Sequence, residues 1–240
     1  MKSIRIAGAC LVAMFALSMA LGASASAAPV WEQCQTEKAS TSPSRYTEGQ
    51  CVTASATGGW AWQEVKGTEK VIGPGSLVLK DTKTPVGTVE VQCSGTTEGA
   101  VGPGRFARMT GVTEIKCSPG KECEKVETAS PRNLPWQTEL FETTEKTVGD
   151  RITSGGSGAP GWGLTCTVLD IKTEDVCTSE STSVLDRNML TQELTGSRRL
   201  VGLAFENAGK ANCTVGGEGS GEELGIVGLE KANGLGLRVS

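Results

Sequence analysis

Apolar and polar residues alternate along much of this chain. In Thr88-Val89-Glu90-Val91-Gln92-Cys93 the alternation places Val89, Val91 and Cys93 on one face. Trp162, Leu164, Cys166 and Val168 repeat the pattern, as do Val201, Leu203 and Phe205. A period of two is that of a strand with one face on a core and the other in water. Turn signals stand between these runs: Gly73-Pro74-Gly75, Asp81-Thr82-Lys83, Gly102-Pro103-Gly104, Ser118-Pro119-Gly120, Gly155 to Gly161 and Gly216 to Gly221. Short strands with frequent Gly/Pro punctuation predict an all-β protein, a β-sandwich or partly open barrel with long Gly/Thr-rich loops. Only Thr182 to Leu190 reads as a candidate helix, and it fits a strand equally well. Gly155-Gly156-Ser157-Gly158 marks a candidate internal boundary near 155–160, or else a long surface loop within one domain.

The first 27 residues stand apart from this pattern. Lys2 and Arg5 precede an apolar run from Ile6 to Leu21, and Ala25-Ser26-Ala27 supplies the small residues of a cleavage site. The arrangement predicts a signal peptide over 1–27 and a β-sandwich domain over 28–240, secreted or held at the cell surface. The apolar run falls short of the roughly 20 residues a bilayer span needs, so no stable membrane span is expected after cleavage. Cys10 lies too early in the run to be a lipid-attachment cysteine.

Removing that segment changes two counts. The nine cysteines become eight: Cys34, Cys51, Cys93, Cys117, Cys123, Cys166, Cys177 and Cys213. An even set in an exported chain predicts four disulfides, and the absence of CxxC spacing argues against a zinc site. Pairing by proximity gives Cys34–Cys51, Cys117–Cys123 and Cys166–Cys177, with Cys93–Cys213 as a long-range tie, although eight cysteines allow 105 arrangements. Losing Lys2 and Arg5 takes Lys+Arg from 23 to 21 against 27 acids, a net charge of −6. A mildly acidic chain whose most basic feature is Arg198-Arg199 is not a nucleic-acid binder.

The candidate chemistry is sparse. The chain has no histidine, which excludes Ser-His-Asp and Cys-His catalysis and histidine metal ligation. Gly156-Ser157-Gly158-Ala159-Pro160-Gly161 matches GxGxxG in letters, but Pro160 and a following strand remove the helix N-terminus that a dinucleotide needs. Ser118-Pro119-Gly120-Lys121 matches SxxK, but Pro119 and Gly120 favour a turn over the helical turn that brings the lysine onto the serine. No cofactor and no catalytic or metal-binding residue is predicted. Acid pairs such as Glu222-Glu223 suit general acid–base work in principle, but choosing two of 27 acids is arbitrary. Trp60 and Trp62 share a face if Gly59 to Gln63 is a strand, and form a candidate ligand platform for a sugar ring. The commoner role for such a pair is core packing, and Trp136 and Trp162 read as core anchors.

Several segments together resemble a known group. These are Gly75-Ser76-Leu77-Val78-Leu79-Lys80-Asp81-Thr82-Lys83, Val91-Gln92-Cys93, Leu134-Pro135-Trp136-Gln137-Thr138-Glu139-Leu140, Gly158-Ala159-Pro160-Gly161-Trp162 and Lys210-Ala211-Asn212-Cys213. Over roughly residues 60–240 the chain resembles uncharacterised exported cysteine-containing β-proteins that occur as many paralogues in soil actinobacteria. That resemblance implies export and a β fold, and no activity.

Three functional readings follow. The first is a non-enzymatic binding or structural module of the cell envelope, with an envelope glycan or protein as partner. The second is a carboxylate-dependent hydrolase acting on glycans. The third is a protease inhibitor presenting Ser118 to Glu122 as a loop closed by Cys117–Cys123.

Overall fold

The computed structural model describes residues 28–37, 45–144, 147–179, 191–193 and 201–239. The signal peptide expected over 1–27, the segment Thr182 to Leu190 and the Arg198-Arg199 pair lie outside the described residues. Among the described residues there is no helix. The strands are β1 (Trp31–Thr36), β2 (Trp60–Glu64), β3 (Glu69–Thr84), β4 (Gly87–Val101), β5 (Phe106–Pro119), β6 (Lys125–Arg132) and β7 (Trp136–Thr144). They continue as β8 (Thr147–Ser154), β9 (Gly161–Val168), β10 (Ile171–Ser179), β11 (Thr191–Glu193), β12 (Val201–Cys213), β13 (Gly217–Lys231) and β14 (Leu237–Val239).

The all-β expectation holds, in its partly open barrel form. One antiparallel sheet runs β6-β9-β10-β12-β13-β3-β4-β5-β7-β8, with β11 paired to β12. It curls into a half-barrel. Trp162 on β9 and Trp136 on β7 meet edge to face at 6.2 Å although seven ladders separate their strands. The predicted alternation sets the concave face. On β4 it is Val91, Cys93, Thr97 and Val101 that are buried, and on β3 it is Val71, Leu77, Leu79 and Asp81. A second sheet, β14-β1-β2, covers one end of the half-barrel. There Trp31, Val65 and Leu237 join Val71, Val101, Leu140 and Leu229 in one cluster. Full burial of side chains of this size contributes about 1.5–3 kcal/mol each.

Several expected turns are not turns. Gly73-Pro74-Gly75 lies inside β3, opposite Thr97, Thr96 and Gly95 of β4. On the β13 side the ladder lapses between Val227↔Gly75 and Glu230↔Ile72, where Pro74 has no N–H to give. A Cβ on Gly73 would lie 1.8 Å from the Gly228 carbonyl oxygen. The glycine therefore serves close backbone approach, which a turn motif mimics in sequence. Likewise Asp81-Thr82-Lys83 continues β3, and most of Gly216 to Gly221 opens β13. Gly102-Pro103-Gly104 is a turn as expected, and Gly155 to Pro160 joins β8 to β9. The β6–β9 and β13–β3 ladders cross between the two halves of the chain.

All eight cysteines pair, but three of the four expected bridges are not formed. Cys34–Cys51 is as expected; the others are Cys93–Cys117, Cys123–Cys166 and Cys177–Cys213. Register explains the correction. Cys93 faces Cys117 across β4–β5, and Cys177 faces Cys213 across β10–β12, with Cα atoms 4.1 and 4.0 Å apart. Cys166 and Cys177 share the β9–β10 hairpin, but its ladder sets Cys166 against Thr173 and Cys177 against Trp162. That offset of four residues is roughly 13 Å along the strands, beyond the reach of a disulfide. The four disulfides fit a secreted or extracellular protein.

Candidate functional site

At the end of the half-barrel away from the small sheet, two hairpin tips flank an opening. The β9–β10 hairpin turns through Leu169 and Asp170, both left-handed (φ 49° and 62°). This is the two-residue geometry that matches strand twist, normally filled by Asn and Gly. Leucine there costs roughly 1–2 kcal/mol, and its side chain is 67% exposed, next to Ile171 at 66%. Val86, in the β3–β4 turn, is exposed as well. Between the tips lies a cavity of about 240 Å³ walled by Val86, Val89, Leu164, Val168, Ile171 and Val215, with Asp175 also in its lining.

Three acids gather beside this cavity. Asp81 ends the apolar face of β3, Asp175 sits on β10 and Glu223 on β13. The turn between β12 and β13 holds the first two. The Thr214 hydroxyl and the Val215 N–H donate to Asp175 Oδ1 at 2.9 and 3.0 Å, and the Gly216 N–H donates to Asp81 Oδ2 at 2.7 Å. A Cβ on residue 216 would lie 1.9 Å from Asp81 Oδ1, so a side chain there would displace that carboxylate from the Gly216 N–H. Burial raises the pKa of Asp175 above its ordinary value, and the facing Asp81 carboxyl, within hydrogen-bonding reach, raises it further.

Asp81, Asp175 and Glu223 line a chamber of about 20 Å³ with Leu79, Val89, Trp162 and Leu164, and Lys80, Cys177 and Glu222 complete its wall. It adjoins the mouth through Val89, Leu164 and Asp175. Glu223 is 3% exposed, and its Oε1 has no hydrogen-bond partner among the described residues. Burial alone pushes its pKa up to about 8. Glu223 and Trp162 also line an inner cavity of about 50 Å³ with Trp136, Ile152 and Val227. The three spaces thus follow one another from the mouth into the concave face. Elsewhere on that face burial lifts Asp150 to about 7, against the opposing pull of the Thr138 hydroxyl and the backbone amides of Arg151 and Glu139.

Asp175, Cys177 and Cys213 bring potential metal-binding atoms within 4.8 Å of one another. Both sulfurs belong to the Cys177–Cys213 disulfide, so no thiolate is available there to hold a metal.

The sequence-selected tryptophans lie on the small sheet. Trp60 and Trp62 flank the buried Ala61 on β2, and both are half-buried. The Arg238 guanidinium lies 4.7 Å over the Trp62 ring, and Tyr46 meets that ring edge-on. Trp136 and Trp162 line the inner cavity. Trp136 enters the core at the start of β7, its Nε1–H donating to the Arg132 carbonyl at 2.7 Å. Ser118 to Glu122 does not form a loop closed by its own disulfide. Cys117 and Cys123 bond elsewhere, and Gly120 and Lys121 are tied by backbone hydrogen bonds to Glu90.

Two of the three acids were within reach of the alternation pattern. Leu77, Leu79 and Asp81 share a face of β3, and Glu223 shares one with Val227 on β13. An acid in phase with an apolar face is the signal for a buried carboxyl. No family model, curated protein or solved structure matches this chain.

Proposed function

We propose that this chain is an exported, non-enzymatic binding module that takes a small apolar ligand into the mouth of its half-barrel. The carrying observation is the 240 Å³ apolar cavity between two hairpin tips that present Val86, Leu169 and Ile171 to solvent. An empty cavity of about 150 Å³ already accepts benzene, so this one suits a single ring with a short chain. A left-handed leucine at the tip is a local cost that folding does not require, which is how binding loops differ from plain turns. Export rests on the apolar N-terminal run and on the four disulfides.

Glycan hydrolysis is less well supported. Two catalytic carboxyls must flank a sugar ring and, in one mechanism, a water. The chamber between Asp81, Asp175 and Glu223 holds about one water.

The test is titration with 2-phenylethanol, followed by backbone amide NMR. Shifts confined to residues 84–89, 164–175 and 215, and abolished by Ile171→Asp, support the reading. Shifts centred on Trp60 and Trp62 instead would transfer the site to the small sheet.

A further inference from the structure

We infer that the site selects a primary ammonium: the apolar body of a small amine fills the mouth, and its –NH₃⁺ enters the chamber between Asp81, Asp175 and Glu223. The inference rests on the mouth-binding reading and adds the head group that the site would recognise.

Three observations converge on it. First, size: the chamber is about 20 Å³, room for one water-sized group and no more. Ammonium is such a group. Second, valence: –NH₃⁺ has three donors and no acceptor, and besides Glu222, which pairs with Lys80, the chamber is lined by three carboxyls from three strands. Two of them are already oriented by the Thr214–Gly216 turn. The third, Glu223, is nine-tenths buried and more, with its Oε1 unpartnered among the described residues. Third, charge: Lys80 also lines the chamber, but its ammonium pairs with Glu90 and Glu222, at 3.8 and 3.9 Å. Among the described residues no cation pairs with Asp81, Asp175 or Glu223.

The remaining walls decide against a bare metal ion. Calcium takes six to eight oxygens, including carbonyls and waters, whereas this wall also carries the Lys80 cation and the apolar Leu79, Val89, Trp162 and Leu164. An organic ammonium needs that apolar lining for its first carbons, and the shared residues Val89 and Leu164 lead directly into the mouth.

The experiment compares 2-phenylethylamine, 2-phenylethanol and the N,N,N-trimethyl derivative of the amine by calorimetry on the mature protein, with calcium chloride as a fourth titrant. The expected result is that the primary amine binds at least tenfold more tightly than the alcohol, and the trimethyl form more weakly than either. Asp175→Asn, which keeps an acceptor for Thr214 and Val215, should erase the preference for the amine over the alcohol. Glu223→Gln should do the same through a residue the turn does not touch. Equal affinity for amine and alcohol would overturn the ammonium assignment and leave the apolar mouth standing. Tight binding of the trimethyl form, or of calcium alone, would also overturn it. Failure of both alcohol and amine to bind would remove the mouth-binding reading as well.

Discussion

At the end of the half-barrel under the small sheet, Lys231 is 4% exposed, donates to Gln33 and pairs with Glu69 at 3.0 Å. At the other end the Oε1 of Glu223, on the same strand and equally buried, meets no hydrogen-bond partner among the described residues. These two buried ionisable groups therefore meet opposite surroundings. A paired charge in a packed end is part of the folding arrangement, while an unpaired one beside a cavity is a cost that folding alone does not justify. The side chains around them follow the same division: Trp31 and Leu237 are fully covered at the closed end, while Leu169 and Ile171 stand in solvent at the open one.

The largest test of this contrast lies at the closed end. Trp31→Ala should cost about 3–5 kcal/mol of stability, measured by urea unfolding, because Trp31 is fully buried in the cluster that joins the two sheets. A loss below about 1 kcal/mol, the scale of a surface substitution, would break the assignment of that end as the stabilising one.

The next effect has the opposite sign. Glu223 has its pKa raised from 4.5 to about 8, so the folded chain binds a proton that the unfolded chain has released between those values. Its contribution to stability is therefore best below about pH 4.5 and worsens as the pH rises toward 8. Glu223→Gln should stabilise the protein by roughly 2–4 kcal/mol near pH 8 and by almost nothing near pH 4. Asp150, raised to about 7 by its own burial, leaves part of the pH slope in the variant. Thermal melts across this range read both effects, and an unchanged pH slope in Glu223→Gln would place the unpaired charge elsewhere.

A smaller difference separates two disulfides. Cys123–Cys166 spans 43 residues and ties the edge strand into the large sheet, while Cys34–Cys51 spans 17 and lies in the small one. By loop entropy, replacing the first pair with alanines should cost about 0.8 kcal/mol more than replacing the second. Smallest of all, Leu169→Asn should raise stability by roughly 0.5 kcal/mol by relieving the left-handed turn. It should also weaken 2-phenylethanol binding, and a gain in both would separate the tip from the site.

Part of this was legible in the sequence. Period-two alternation identified the strands carrying Val89 to Cys93 and Trp162 to Val168, because a strand's faces are set locally. Gly73-Pro74-Gly75 read as a turn because the sequence cannot show that Gly228 of a distant strand packs onto Gly73. Disulfide partners followed ladder register, which proximity along the chain does not encode. The chamber was hidden for the same reason: Asp81, Asp175 and Glu223 become neighbours only when β13 pairs with β3 and the sheet curls.

The ammonium-sized chamber is built from strands and from a turn fixed by Gly216, whereas the tips of the mouth are the turns at Pro85-Val86 and Leu169-Asp170. Turn tips tolerate exchange and insertion far better than paired strands do. Head and tail recognition are therefore separable in inheritance: one disulfide-held frame can keep its head-group chamber while its tips are rewritten for tails of different length and shape.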